Sequence, residues 1–390
     1  MWVDTGNWAA MDSPDGMVKT RTLAEAMADM GYVTSNVGER ELANGYDSFV
    51  ILRKQCKFPL ISANLVFQSS GKTIVEPYTI VTLDPKKYKA LKKPLRLAIA
   101  GVTRFNPTFM KSAPPKDNVI IANPSDELKR YLPEMKKKAD QIIVLAAMAK
   151  DDARLLAKEV PGIDLIVGGY SGVTTAVEEK EGATALFFVG NQGKYLGELR
   201  MFQEGGLTQI KSALHYLSVA YPEDPPMKAK VEAALNEINE LGRAAAAELA
   251  KSSSGSAAAV PVAADAAQKS FVGAEACRTC HTADYALWAT SGHAHAMQTL
   301  VDKKADFNPE CVGCHVVGFK KKGGFSDNAT TPAMANVQCE ACHGPGAKHM
   351  ADPSAPYGKA GKPACLPCHT HDNSPTFDFD TYWPRIRHGA

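Results

Sequence analysis

The sequence predicts two unlike domains: an α/β layered domain at the N-terminus and a mostly helical or irregular one at the C-terminus. Three observations carry this reading. Short apolar runs alternate with amphipathic stretches across residues 1–222, the pattern of strands interleaved with helices. Residues 252–267 are almost wholly Ser, Ala, Gly and Val, without periodicity. Eight of the nine Cys and nine of the ten His follow Phe271. A chain of 390 residues also exceeds one ordinary core. The expected divisions are residues 1–222, a helix with an Ala/Ser-rich linker over 223–270, and residues 271–390.

In the first division the candidate strands are Pro59–Phe67, Arg96–Val102, Gln141–Leu145, Ile163–Val167 and Ala185–Val189. Lys19–Met30 and Asp151–Val160 have amphipathic helical spacing. Met227 to Lys251 reads as a long helix with Val231, Leu235, Ile238 and Leu241 on one side, dissolving into a tether over Ser252–Ala267. Composition excludes some function classes. A net charge of +2 gives no electrostatic footprint for nucleic acid, and no apolar run approaches the roughly 18 residues of a transmembrane helix.

The C-terminal 120 residues repeat one pattern four times: Cys277-Arg-Thr-Cys280-His281, Cys311-Val-Gly-Cys314-His315, Cys339-Glu-Ala-Cys342-His343 and Cys365-Leu-Pro-Cys368-His369. Two thiols at this spacing reach the two vinyl groups of one porphyrin as thioethers. The adjacent histidine is then held beneath the iron. Zinc knuckles also use paired Cys-x-x-Cys, but zinc does not require His after every second Cys. The expectation is four covalently bound haem c groups, with His281, His315, His343 and His369 as proximal ligands.

A second axial ligand decides whether each iron only exchanges electrons or also binds substrate. His293, His295, His349, His371 and His388 remain, enough to close all four sites. Met297, Met334 and Met350 are alternatives. Trp288-x-x-Ser291-x-His293-Ala294-His295-Ala296, the second and third motifs, Gly344-Pro345-Gly346-x-x-His349, Asp372-Asn373-Ser374-Pro375 and the late His388 together resemble multihaem cytochromes of the nitrifier tetrahaem (cytochrome c-554-like) family. That resemblance covers residues 271–390. It implies electron transfer through closely stacked haems, with His293, His349 and His388 as distal ligands. For the fourth distal position His295 is favoured over His371. A histidine from a neighbouring chain is the other source, and would make the domain a link in a homo-oligomer or haem-stacked polymer.

The N-terminal division resembles the metallophosphatase domain of 5′-nucleotidases. The segments are Val3-Asp4-Thr5-Gly6-Asn7-Trp8, Phe58 to Leu65, Ile143 to Met148, Gly162 to Gly172 and Gly190 to Gly197. The family's metal ligands do not follow. Gly6-Asn7 stands where the family has Gly-Asp, Gly38-Glu39-Arg40-Glu41 where it has Gly-Asn-His-Glu, Ala147 where it has a ligand histidine, and Gly169-Tyr170-Ser171-Gly172 where it has Gly-His-Ser-His. His215 lies far from these positions. Retained two-metal catalysis is not expected. A carboxylate substitute from Asp4, Glu39, Glu41 and Asp164 is the competing expectation, and Cys56 reads as a small buried hydrophobe.

The haem pattern implies maturation outside the cytoplasm, in the periplasm or at the cell exterior. Met1-Trp2-Val3 reads as the interior of a strand, so a leader and the family's earlier Asp-x-His pair are expected upstream. Other cytochromes, a reductase or an oxidase are the expected partners. Eleven Lys/Arg balance eleven Asp/Glu after Phe271, and haem propionates would make the loaded domain acidic, suiting a basic partner. The expectation is an electron carrier with no phosphatase activity. Its alternatives are a redox enzyme with one open haem site acting on a small nitrogen or sulfur compound, and a residual phosphoesterase.

Overall fold

The computed structural model describes residues 1–10, 13–89, 91–104, 118–170, 172–190, 193–204, 207–218, 220–253, 271–370, 373–374 and 376–388. The chain divides into two units, Met1–Val231 and Glu232–Ala390.

The first unit is a layered α/β structure. Its strands are β1 (Trp2–Asp4), β2 (Tyr32–Asn36), β3 (Leu60–Ile61), β4 (Leu65–Phe67), β5 (Tyr78–Leu83), β6 (Leu95–Thr103), β7 (Val119–Ile121), β8 (Gln141–Ala147), β9 (Leu165–Gly168), β10 (Glu179–Glu181), β11 (Thr184–Phe188), β12 (Tyr195–Glu204) and β13 (Leu207–Tyr216). The main sheet runs β10-β11-β9-β8-β6-β5. Its four inner strands are parallel and the two edges antiparallel. Inner strands such as Gln141–Ala147 are apolar almost throughout because both faces are covered. One face carries helices α4 (Pro124–Lys138) and α5 (Lys150–Glu159), which bury Leu128, Leu132, Met135 and Leu156 against Ile142, Val144 and Ile166. The other takes Ile61 and the partly buried Leu199, Met201 and Ile210 of the β12–β13 hairpin. A parallel sheet β1-β2-β3 packs with α1 (Pro14–Asp29), α2 (Glu39–Leu42) and α3 (Gly45–Gln55) around Phe49 and Leu52.

Two differences from the sequence reading have local causes. Helix α1 starts well before Lys19, because Ser13 caps it by accepting from the Gly16 N–H at 3.2 Å and Pro14 occupies the first position. The run Pro59–Phe67 is two strands rather than one. Between them Asn64 accepts from the Thr103 N–H at 2.9 Å and donates to the Thr103 and Ala122 carbonyls, carrying the chain from the β1-β2-β3 sheet to a pairing with β7.

Helix α6 (Pro225–Ser253) crosses from the first unit's residues into the second's. Ile238 is buried, whereas Val231, Leu235 and Leu241 are exposed, so the expected apolar side is only partly covered. From residue 254 on, the Ser252–Ala267 tether lies outside the described residues. In the second unit Asn239 accepts from the Phe307 N–H at 3.1 Å, and Arg243 pairs with Asp306 at 3.3 Å. The remainder is short helices joined by turns, among them Thr282–Ala289, Ala296–Asp302 and Cys339–His343. Its apolar cluster is small: Met297, Leu300, Val312, Val316 and Phe325.

Candidate functional site

Each Cys-x-x-Cys-His motif lies on a short helix or its closing turn, which brings its two thiols and its imidazole to one side. The histidines are anchored alike. The Nδ1–H of His315 donates to the Ala296 carbonyl at 2.6 Å, and that of His343 to the Gly358 carbonyl at 2.6 Å. His369 Nδ1 is 3.0 Å from the Ser374 hydroxyl, and His281 Nδ1 is 3.4 Å from the Asp284 carboxylate. Two histidines outside the motifs follow suit: His349 to the Ala355 carbonyl at 3.4 Å and His388 to the Ile386 carbonyl at 2.8 Å. A carbonyl only accepts, so the proton sits on Nδ1 and Nε2 is left with its lone pair, the tautomer a metal ligand needs.

Three pairs of imidazoles form. Ring centroids stand 6.2 Å apart for His281 and His349, 6.1 Å for His293 and His369, and 5.9 Å for His343 and His388. A histidine nitrogen bonds a transition metal at about 2 Å; with a ring's half-width at each end, two imidazoles flanking one ion stand roughly 6 Å apart. The donor set therefore fits an iron between each pair. His293, His349 and His388, the three expected distal residues, each face the histidine of a different motif. His295 is exposed at the end of the 3-10 turn Gly292–His295. Among the described residues neither it nor any other imidazole forms such a pair with His315, and His371 lies outside the described residues. Burial lowers the pKa of both His293 and His369, which favours neutral, ligating imidazole.

A cavity of about 870 Å³ provides room for a large planar group, near the top of the roughly 300–1,000 Å³ of small-molecule sites. Cys311, Cys314 and His315 of the second motif and Cys365, Cys368 and His369 of the fourth open into it. Its walls include Leu287, Leu300, Phe377, Phe379 and Trp383, and Phe377 stacks on His369 at 4.2 Å. Thiols of different motifs are neighbours. Cys277 interacts with Cys339, which raises the Cys277 pKa. Burial, with the neighbouring Cys314 adding, pushes Cys368 up to about 12. Burial also raises Cys342, with Cys365 contributing. Cys280 alone among the eight is exposed.

Two further side chains shape the site. Glu340, inside the third motif, is buried and accepts from the backbone N–H groups of Val272, Gly273 and Gly346 at 2.6–3.0 Å. Tyr357 lies parallel to two histidines. Neither announces itself in the sequence, because both act through backbone groups or rings distant along the chain.

In the first unit the positions read from the sequence against phosphatase ligands gather at the C-terminal ends of the parallel strands. Asp4 accepts from the Gly6 N–H at 2.7 Å, and burial pushes its carboxyl up to about 6. Asn7, at φ 69°, accepts from the Arg40 N–H at 3.0 Å. Glu39 accepts from the Tyr170 hydroxyl at 2.8 Å. Glu41 is buried and accepts from the N–H groups of Asn7, Trp8, Ala9 and Gly38 at 2.7–3.0 Å. The expected alternative carboxylate cluster does not assemble as a whole. Asp164 accepts from the Ile142 N–H at 2.7 Å, at the start of β8 and so at the opposite end of the strands. Ser171 lies outside the described residues. Cys56 is partly buried against the α1–α3 cluster, and burial pushes its thiol up to about 12.

Comparison with known proteins finds two unlike groups of relatives. The family described as Cytochrome c554 and c-prime matches residues 276–344. Cytochrome c-554 of Nitrosomonas europaea is 37% identical over 102 residues, covering 22% of this chain and 43% of that protein. The 5′-nucleotidase of Bos taurus is 26% identical over 242 residues, 55% of this chain and 40% of that protein. A 5′-nucleotidase precursor from Thermus thermophilus superposes with a TM-score of 0.51 at 19% identity, over 61% of this chain and 49% of its own. The chain thus spans less than half the length of these relatives. Its C-terminal region carries a match to the cytochrome c554 family, and its N-terminal region is similar to the 5′-nucleotidases and shares their α/β fold.

Proposed function

We propose that residues 271–390 hold four covalently bound c-type haems and relay electrons outside the cytoplasm. The eight motif cysteines would form the thioethers, and His281, His315, His343 and His369 the proximal bonds. His349, His293 and His388 would close the first, fourth and third sites. The observation that carries this reading is the three imidazole pairs, each joining one motif to a distant histidine at the spacing of a single ion. Bound haem iron supplies one-electron cycling between oxidation states. The protein's own residues orient the imidazoles through Nδ1, exclude water with Leu300, Phe377 and Trp383, and hold the motifs in order. The thiol neighbourhoods support the order first, third, fourth, second. A haem count by pyridine haemochrome, with axial ligands assigned by magnetic spectroscopy, tests the proposal. Four haems with at least three bis-imidazole irons are expected; a colourless or zinc-loaded native protein would overturn it.

The second reading concerns the second motif. His315 stands outside the three pairs, and the cavity beside it is lined by Thr299, Lys303 and Glu310. An iron there with one open position would make the protein a redox enzyme for a small nitrogen or sulfur compound. Carbon monoxide discriminates: one equivalent bound per reduced chain supports the open site, and none supports closure by His295, His371 or another chain.

The first unit is proposed to be a phosphatase fold without its metals, serving as scaffold or docking surface. Asn7, Glu39 and Tyr170 stand at the matched ligand positions, but Asn7 accepts from the Arg40 N–H and Tyr170 donates to Glu39. Metal analysis with a nitrophenyl-phosphate assay tests this, and two bound metals with turnover would refute it. Basic redox proteins are the proposed partners of the haem-loaded domain; an association rate independent of salt would count against them.

A further inference from the structure

We infer that Ala355-Pro356-Tyr357-Gly358 is a strap that fixes two axial imidazoles serving different irons, with Tyr357 as the positioning residue between them. The inference rests on the ligation proposed above, in which His349 closes the first site and His343 belongs to the third. Three observations converge on these four residues. The Ala355 carbonyl accepts from His349 Nδ1 at 3.4 Å and the Gly358 carbonyl from His343 Nδ1 at 2.6 Å. The ring of Tyr357 stacks on His349 at 4.9 Å with 9° between planes, and on His343 at 5.8 Å with 17°. Its hydroxyl donates to the Gly344 carbonyl at 2.5 Å, tying the strap to the turn that follows the third motif.

Each contact has a distinct consequence. The carbonyl bonds choose the tautomer and raise the basicity of the ligating nitrogen. The stacked ring removes rotation about the iron–nitrogen axis, because an imidazole cannot turn without sliding off a parallel face. Gly358 permits the approach: a side-chain carbon there would fall 2.2 Å from the His343 carbonyl oxygen. One segment therefore sets the planes of two imidazoles belonging to neighbouring sites, whereas His369 and His315 are anchored by Ser374 and Ala296 elsewhere. A tyrosine kept only for packing would influence stability and nothing else.

The test uses the haem-loaded full chain. Low-temperature electron paramagnetic resonance reads imidazole orientation at each low-spin iron, and spectroelectrochemical titration reads the potentials. Tyr357→Leu should move two of the low-spin signals, shift the midpoint potentials of the same two sites, and leave the others in place. Tyr357→Phe keeps the stacked ring and should restore the wild-type signals. A Tyr357→Leu protein with its full haem complement and unmoved signals would overturn the inference. Should that variant fail to mature, ring-labelled tyrosine in the wild-type holoprotein decides. Resonances of Tyr357, assigned by their loss in Tyr357→Phe, should carry paramagnetic shifts, and unshifted ones overturn the strap. A wild-type haem count below four, or no bis-imidazole signals, would instead defeat the underlying ligation.

Discussion

The two units solve the problem of polar groups in opposite ways. At the strand ends of the first, polar side chains bond to the protein itself: Asn7 accepts from the Arg40 N–H, Tyr170 donates to Glu39, and Glu41 gathers four backbone N–H groups. In the second, imidazoles are anchored by one nitrogen and face each other in pairs across about 6 Å. Apolar packing differs to match. The first unit buries twenty side chains in its largest cluster, including Leu128, Ile166 and Phe188; the second unit's cluster has five, and of these Leu300 borders its 870 Å³ cavity. One unit is filled by its own side chains, and the other encloses a large cavity.

The largest expected effect follows from that contrast. When the full chain is produced without haem attachment, the first unit should remain folded and the second should not, since its five-residue apolar cluster is too small to order it. Limited proteolysis should cut rapidly after residue 271 and spare the strands before residue 217. Equal protection of both units would show that the second builds a core unaided.

Next come the axial ligands. His349→Ala and His293→Ala should each convert one low-spin iron to a high-spin one and add one carbon monoxide equivalent per chain. The double variant should add two, because the pairs lie at different motifs. Uptake unchanged in both single variants would mean that these histidines are not ligands.

The candidate histidines stand out because the chemistry expected of them is written in adjacent residues, and three pairs of them do come together. A Cys-x-x-Cys-His needs no tertiary contact to be recognised, and the Gly344-Pro345-Gly346-x-x-His349 and Ser291-x-His293 patterns narrowed the distal choices. The sheet was legible too. Val144 and Ile166 sit in apolar runs bounded by Asp140 and Asp164, and those runs became β8 and β9. What escaped was set at long range. No local rule splits Pro59–Phe67; Asn64 does so by binding β6, 39 residues away. Tyr357 acquires its place only when His343 and His349 close around it. Asp164, grouped with Asp4 and Glu39 by charge alone, lies at the opposite end of the strands because it precedes β9, whereas Asp4 ends β1 and Glu39 follows β2.

Glu41 and Glu340 sharpen the comparison, since each is a buried carboxylate that gathers three or more backbone N–H groups, one in each unit. Removing either leaves several buried donors unsatisfied, at about 1–3 kcal/mol each, so Glu41→Ala and Glu340→Ala should both destabilise by on the order of 3–5 kcal/mol. The readouts should separate. Glu41→Ala lowers the urea midpoint of the first unit with haem spectra unchanged. Glu340→Ala disturbs the third motif that contains it, seen as altered haem spectra. A shared readout would mean that the two units do not unfold independently.

The smallest effect is a pH dependence confined to the first unit. Burial holds the folded Asp4 carboxyl near 6 against an ordinary 3.8, with Glu41 adding to the rise and the Gly6 N–H opposing it. Between those values the folded state binds the proton more tightly than the unfolded one, so stability falls as pH rises from about 4 to 6 and then levels. Asn keeps an oxygen for the Gly6 N–H but carries no charge. Asp4→Asn should therefore match the wild type near pH 4 and exceed it at pH 7. At roughly 1.4 kcal/mol per unit, discounted because the side chain is partly exposed, the gain should be on the order of 1–2 kcal/mol. Urea titrations at both pH values, followed through methyl signals of the first unit, measure the difference while other carboxylates cancel. Parallel curves for variant and wild type at both pH values would mean that Asp4 is ionised without cost in the folded state, and the strand-end site would then be more open to water than its packing indicates.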